Sequence, residues 1–251
     1  MDQSSIAAVT LLTLAIVVAP GASARAAELK ILAGGSMTGP LKELTAKFEQ
    51  STGHKLTIEF AGTPELIRQA ASGAPFDAGF VPIEVMKNAE ARAKFAEPVP
   101  IARVGYGVAV KAGAPKPDIS TAEKFKDAML KAQSYTLYPE SASGAFVLKT
   151  FETLGIAAAM RPKLKPQANP AGIVSAVANG DVQYGVFLTH VLSAPGLEPP
   201  VPFPAELNSE LVFVGAVAAA SKERAAAQAF LDYLKTPDAA AVFRAKGVTP
   251  G

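Results

Sequence analysis

The chain has 251 residues, 49% hydrophobic and 18% charged, a balance that fits a globular protein with a sizeable core and excludes a disordered tail or a coiled coil. With 24 basic against 22 acidic residues the formal net charge is +2, which gives no electrostatic drive toward nucleic acid or an anionic membrane. Cysteine is absent and the only histidines are His54 and His190, so disulfides, thiol chemistry and metal sites built on thiolate or imidazole are not expected. No cofactor is expected.

The segment from Ile6 to Ala19 is almost wholly apolar, interrupted by Thr10 and Thr13. Pro20 and Gly21 break any helix there, and the small residues Ala22-Ser23-Ala24-Arg25-Ala26 follow. This pattern predicts a secretory leader over residues 1–26, cut after Ala26, and it is too short to span a bilayer, which takes ~20 apolar residues. The leading MDQSS departs from the pattern by lacking Lys and Arg. Without a Cys at the cut the product is not a lipoprotein, and export to a periplasm is the expectation.

After the leader, short apolar runs alternate with helical patterns. Leu29 to Leu32 reads as a buried strand and Gly34-Gly35-Ser36 as the turn behind it. A helix follows, with Leu41, Leu44 and Phe48 on one stripe and Gly53 as its stop. Lys55 to Phe60 alternates as a second strand, and Gly62-Thr63-Pro64 places the Thr63 hydroxyl at a helix N-cap with Pro at the first helical position. Phe76 to Val81 makes a third strand, and this order of strands and helices implies parallel pairing in an α/β sheet.

From Arg103 to Val110 the pattern is that of one long strand leaving the first lobe. A helix over Thr121 to Ala132 and a strand over Tyr135 to Tyr138 come next, and Pro139 to Gly144 then opens a helix carrying Phe146, Phe151 and Leu154. Asn169-Pro170 caps a helix over Ala171 to Ala178, and Tyr184 to Leu188 is a further strand. The Pro-rich stretch Pro195 to Pro204 connects to a strand over Leu211 to Val217, and helices over Lys222 to Leu234 and Pro237 to Lys246 close the chain.

A small or hydroxyl residue recurs where a strand ends and a helix begins: Ser36 and Thr38, Thr63, Ser141 and Ser143, and the region of Asn169 and Ala171. Ligands of open α/β sheets bind outside the carboxyl ends of the strands. Helix N-termini present free N–H groups and about half a positive charge, so several converging there bind an anion without Lys or Arg. Taken singly, each of these residues reads equally as an ordinary cap. Hydrolase and nucleotide chemistry find little support. Gly34-x-Ser36-x-Thr38 lacks the final Gly of a nucleophile elbow, and neither G-x-G-x-x-G nor a phosphate-loop lysine motif occurs.

The stretch GGSMTGPLKELTAKFEQSTGHKLTIEFAGTPELIRQAASGAPFDAGFV resembles the first lobe of the periplasmic molybdate-binding proteins of ABC importers. YPESASGAFVLKTFETLG and LKPQANPAGIVSAVANGDVQYGVFLTH resemble the second lobe, and the likeness covers nearly all of residues 29–251. It implies a two-lobed periplasmic binding protein of type 2, α/β in class, with the ligand cleft between the lobes. The first lobe would take residues 27–104 and return with 205–251, and the second would take 105–204. Carried over position by position, the ligand contacts fall on Ser36 with its neighbour Met37, on Thr63, on Ser141 and Ser143, on Ala171, and on Leu188, where the family has a tyrosine. Asp77 is read as a brace of the sheet.

The resemblance further implies a small anionic ligand, either an oxyanion of the molybdate or tungstate kind or a small organic carboxylate. It also implies a permease partner in the inner membrane, a monomer, and hinge closure over the ligand. An aconitate isomerase shares this fold and sets the alternative of an enzyme acting on a tricarboxylate in the same cleft. His190 would then be the base, with Arg68, Arg103 or Lys149 pairing the carboxylates. A sensor subunit feeding a signalling partner is a third possibility.

Overall fold

The computed structural model describes residues 26–207 and 209–251. Ala26 apart, the expected leader therefore lies outside the described residues. The first segment runs β1 (Glu28–Gly34), a 3-10 turn (Gly35–Met37), α1 (Thr38–Thr52), β2 (Lys55–Ala61), α2 (Thr63–Ala71) and β3 (Ala78–Pro82). After the short α3 (Ala89–Arg92) it reaches β4 (Val99–Val104). Strands β2 and β3 both pair parallel to β1, as the alternation of strands and helices predicts. β1 lies inside the sheet and is buried along most of its length, whereas β2 is an edge strand whose Glu59 pairs with Lys30 of β1 at 2.9 Å.

The apolar run expected to form one long strand is divided at Gly105. Its first part belongs to β4, and its second is β5 (Tyr106–Ala109), which lies in another sheet. The Gly105 carbonyl accepts bonds from the Thr189 amide (3.0 Å) and hydroxyl (3.3 Å) instead of continuing a ladder. The chain then runs α4 (Ala122–Lys131), β6 (Tyr135–Thr136), α5 (Ala142–Thr153), α6 (Ala157–Met160), α7 (Pro170–Asn179), β7 (Tyr184–Leu188), α8 (Thr189–Leu192) and β8 (Val201–Pro202). These strands form a sheet in the order β6-β7-β5-β8.

The chain returns to the first sheet with β9 (Leu211–Val217), followed by α9 (Arg224–Tyr233), α10 (Pro237–Ala245) and β10 (Thr249–Pro250). The first sheet is thus ordered β10-β4-β9-β3-β1-β2, with β9 antiparallel to both of its neighbours.

Helices cover both faces of the first sheet. On one face Leu41, Leu44 and Phe48 of α1 are fully buried, and Phe48 meets Phe230 of α9 with ring centroids 5.2 Å apart. On the other face Leu66 and Ala70 of α2 pack with Leu32, Phe76 and Val81 in a separate cluster. The second sheet is sealed by Phe125, Phe151, Phe203 and Tyr135, and its core is continuous with the first through β4 and β5. At about 25 cal/mol per Å² of apolar surface removed from water, buried rings of this size supply the main stabilising term.

Asp77 braces the sheet as expected. Its carboxylate accepts from the Lys30 amide at 2.9 Å and from the Ser221 hydroxyl at 2.7 Å, which shifts the start of β3 to Ala78. His54 is a turn residue whose Nδ1 accepts from the Ala27 amide at 3.0 Å.

Candidate functional site

Where β1, β2 and the segment after β6 end, their helices begin around a common point between the two sheets. A cavity of about 20 Å³ lies there, lined among others by Ser36, Thr63, Tyr138, Ser141, Ala142 and Ser143. That is room for little more than one water-sized group. It adjoins a cleft of about 1110 Å³, and Gly35, Ser36, Ala61, Gly62, Tyr138 and Pro170 line both.

Each expected contact can be placed. Ser36 lies in the 3-10 turn after β1, half-buried, and its hydroxyl makes no protein hydrogen bond among the described residues. Thr63 is not the N-cap that the sequence predicts. Gly62 takes that position, and Thr63 is the first helical residue of α2. Its hydroxyl oxygen therefore faces away from its own helix and accepts from the Ala142 amide at 3.0 Å, a bond that joins the two sheets' segments.

Ser141 is a true cap. Its hydroxyl accepts from the Gly144 amide (2.9 Å) and donates to the Tyr138 carbonyl (2.8 Å), so what it offers the cavity is the turn it holds. Ser143 is buried at the cavity wall. Asn169 caps α7 through the Gly172 amide at 2.9 Å, so Pro170 reaches the small cavity while Ala171 lines the larger cleft alone.

Two of the expected contacts lie elsewhere. The Met37 side chain is fully buried in the core, and Leu188, fully buried at the end of β7, lines neither cavity. The cause is the same for both: an apolar side chain at a strand–helix junction turns into the core. A phenol that the sequence reading did not single out, that of Tyr138, lines both cavities. β6 pairs only over Tyr135 and Thr136, shorter than expected, and Tyr138 then leaves the strand direction and turns into the cleft. A Cβ on Gly62 would stand 2.2 Å from the Tyr138 hydroxyl, so glycine is what allows the ring to lie there. Burial, and then the charges of Glu140 and Glu65, raise the Tyr138 phenol, which stays protonated and able to donate. Tyr106 of β5 is raised chiefly by burial and further by Glu84, against the lowering effect of the Ser143 hydroxyl.

His190, on α8 of the second sheet's side, bonds through Nε2 to the Ser36 carbonyl at 2.8 Å, a second bond between the two halves. Because a carbonyl only accepts, Nε2 carries the proton. Nδ1 has neither a partner nor solvent, and burial pushes the imidazole down to about 4, so it is neutral at pH 7.

The basic residues expected to face carboxylates do not do so. Arg68 is exposed and paired with Glu65, Lys149 is exposed and paired with Glu152 at 2.9 Å, and Arg103 is exposed on β4. None of the three lines the cleft; Arg244 and Lys246 do, at the end of α10. Tyr138, Arg244 and Lys246 are thus site residues that the sequence reading missed. A Gly opposite a Tyr gives no local signal, and Arg244 lies 208 positions from Ser36. Among the described residues no cluster of three His, Asp or Glu side chains forms a metal site, and no helix is long and apolar enough to cross a membrane.

Two α/β sheets joined by two crossings of the chain, with helix N-termini from both sides around a shared cavity, define a two-lobed periplasmic binding protein of type 2. The chain belongs to the bacterial extracellular solute-binding protein family, whose model matches residues 29–249. It is 31% identical over 232 residues to a Pseudomonas aconitate isomerase, covering 88% of this chain and 87% of that protein. It is 29% identical over 246 residues to the molybdate-binding protein ModA of Azotobacter vinelandii, covering 92% and 96%. A solved periplasmic molybdate-binding protein of A. vinelandii superposes with a TM-score of 0.71 at 18% identity, covering 88% of this chain and 98% of that one. The chain is accordingly a solute-binding protein, of the kind that works with an ABC importer.

Proposed function

We propose that the solute is a small anion enclosed between lobes made of residues 27–104 with 205–251 and of residues 105–204. The observation that carries this reading is the convergence of Ser36, Thr63 and the start of α5 on one small cavity, drawn from both sheets. The hydroxyls of Ser36, Thr63 and Tyr138, and the first-turn amides not already bonded to Thr63 or Ser141, supply the donors. Each hydrogen bond to a charged group contributes about 1.5–3 kcal/mol, so five to seven suffice for micromolar binding even after the cost of association. Tyr138 takes the place of the family's tyrosine, and Ala171 contributes its amide from the larger cleft. Bound anion favours the closed form because it touches both lobes.

In this reading the protein works as a monomer in the periplasm after loss of its leader and delivers its solute to a permease in the inner membrane. The 31% identity to a protein named aconitate isomerase supports a second reading, an isomerase. Against it, the one nitrogen of His190 able to take a proton is shut off from solvent, and its other nitrogen is held by Ser36.

Ser36→Ala and Thr63→Ala are each expected to weaken anion binding by about 1–3 kcal/mol while the protein stays folded. Thermal shifts with molybdate, tungstate, sulfate, citrate and both aconitate isomers measure this, since ligand at a hundred times its Kd stabilises by about 2.7 kcal/mol. Unchanged affinity in both variants removes the assigned site. Incubating one aconitate isomer with the protein and assaying for the other tests turnover.

Gly62→Ala is expected to displace the Tyr138 ring and weaken binding in the same assay, and Gly62→Ala with Tyr138→Ala to lose no more than Tyr138→Ala alone. Additive losses would show that the two residues act separately.

A further inference from the structure

We infer that the solute carries at least two acidic groups, one in the small cavity and a second paired with Arg244, joined by a carbon chain lying along the cleft. This rests on the anion reading above and narrows it. The cleft is not simply the gap of an open hinge. The two halves are already bridged by Ala142 to Thr63 at 3.0 Å and by His190 to Ser36 at 2.8 Å, and about 1110 Å³ remains beside those bonds. A tetrahedral oxyanion would fill only a small part of this space, which slightly exceeds the range usual for organic-ligand sites, about 300–1,000 Å³.

The cleft walls are largely apolar and include Pro40, Phe60, Val174 and Val191. They suit a carbon chain and offer nothing to the charge of an inorganic ion. Of the charged residues lining the cleft, Lys246 is occupied by Glu43 at 3.4 Å, and Glu65 is held by Arg68. Arg244 is left: it lines the cleft and has no ion pair or hydrogen bond among the described residues. A guanidinium presents two parallel N–H groups that fit a carboxylate or phosphate edge.

The test is calorimetric titration of the wild-type protein, Arg244→Gln and Ser36→Ala with acetate, succinate, citrate, cis- and trans-aconitate, sulfate and molybdate. We expect one or more of the di- and tricarboxylates to bind more tightly than acetate or either oxyanion. Arg244→Gln should weaken that binding about tenfold or more, the loss of one charge-assisted bond, and change sulfate or molybdate binding less than about twofold. Ser36→Ala should weaken every anion that binds. If only the oxyanions bind, or if Arg244→Gln leaves polyacid affinity unchanged, the second acidic subsite is wrong, while a Ser36→Ala loss would leave the anion site standing. Failure of every probe to bind overturns both.

Discussion

Gly144→Ala is expected to destabilise the protein by upwards of about 3 kcal/mol, beyond the common range for overpacking. Inside an exposed helix the same change stabilises by about 1 kcal/mol, so the sign here is set by contact and not by propensity. A Cβ at Gly144 would lie 1.9 Å from the Tyr138 carbonyl oxygen and 2.7 Å from its carbon, both backbone atoms. That carbonyl cannot swing aside cheaply, because it accepts from the Ser141 hydroxyl at 2.8 Å and from the Ser141 amide at 3.3 Å. The clash therefore either breaks the cap of α5 or pushes the helix start, with Ser143, out of the cavity. Gly39→Ala in α1, whose Cβ would meet nothing within 4 Å, is the control and should be neutral or slightly stabilising. Denaturant unfolding of the pair measures the contrast, which for a chain of this size is roughly 6–12 °C in Tm. Equal stability of the two variants would contradict the packing described at the head of α5.

Acidification is expected to weaken the protein through His190. Unfolded, the imidazole titrates near about 6.5; folded, burial holds it at about 4. Between these values the unfolded chain binds the extra proton, so stability is complete above about pH 6.5 and is lost as pH falls toward 4. At 1.36 kcal/mol for each tenfold change, the whole swing is about 3 kcal/mol. His190→Gln keeps a donor for the Ser36 carbonyl and takes up no proton. Carboxylates titrate in both proteins, so the difference between their stability curves isolates the histidine. Wild type should lose about 3 kcal/mol relative to the variant between pH 7 and 4. A flat difference would show that the ring protonates freely in the fold.

The elements defined by local pattern were legible in the sequence. Leu41, Leu44 and Phe48 mark the buried stripe of α1, the strand over Tyr184–Leu188 has the expected bounds, and Asn169 caps its helix as its position before Pro170 predicts. Features set by the partner across the molecule were not. The break at Gly105 depends on Thr189, 84 positions later, and the partner of the Thr63 hydroxyl is Ala142, 79 positions later. Of the site, the junction residues Ser36, Thr63 and Ser143 were accessible because strand ends and caps leave a local signature. Met37 and Leu188 were misplaced because the same signature does not say which way a side chain turns. Tyr138 and Arg244 enter the cleft from segments whose own sequence gives no reason to single them out.

Strand β9 sits between β3 and β4 in the first sheet, yet it follows the entire second sheet in the chain. Assembly therefore has a built-in order. The second sheet draws all its strands from one continuous stretch and is free to form early, as contacts of modest sequence separation do. The first must wait for residues 211–217, and until they arrive β3 and β4 each show an unpaired edge whose side chains are mostly apolar. Such edges are the kind that stick to other chains, so this molecule is most prone to aggregate when half made.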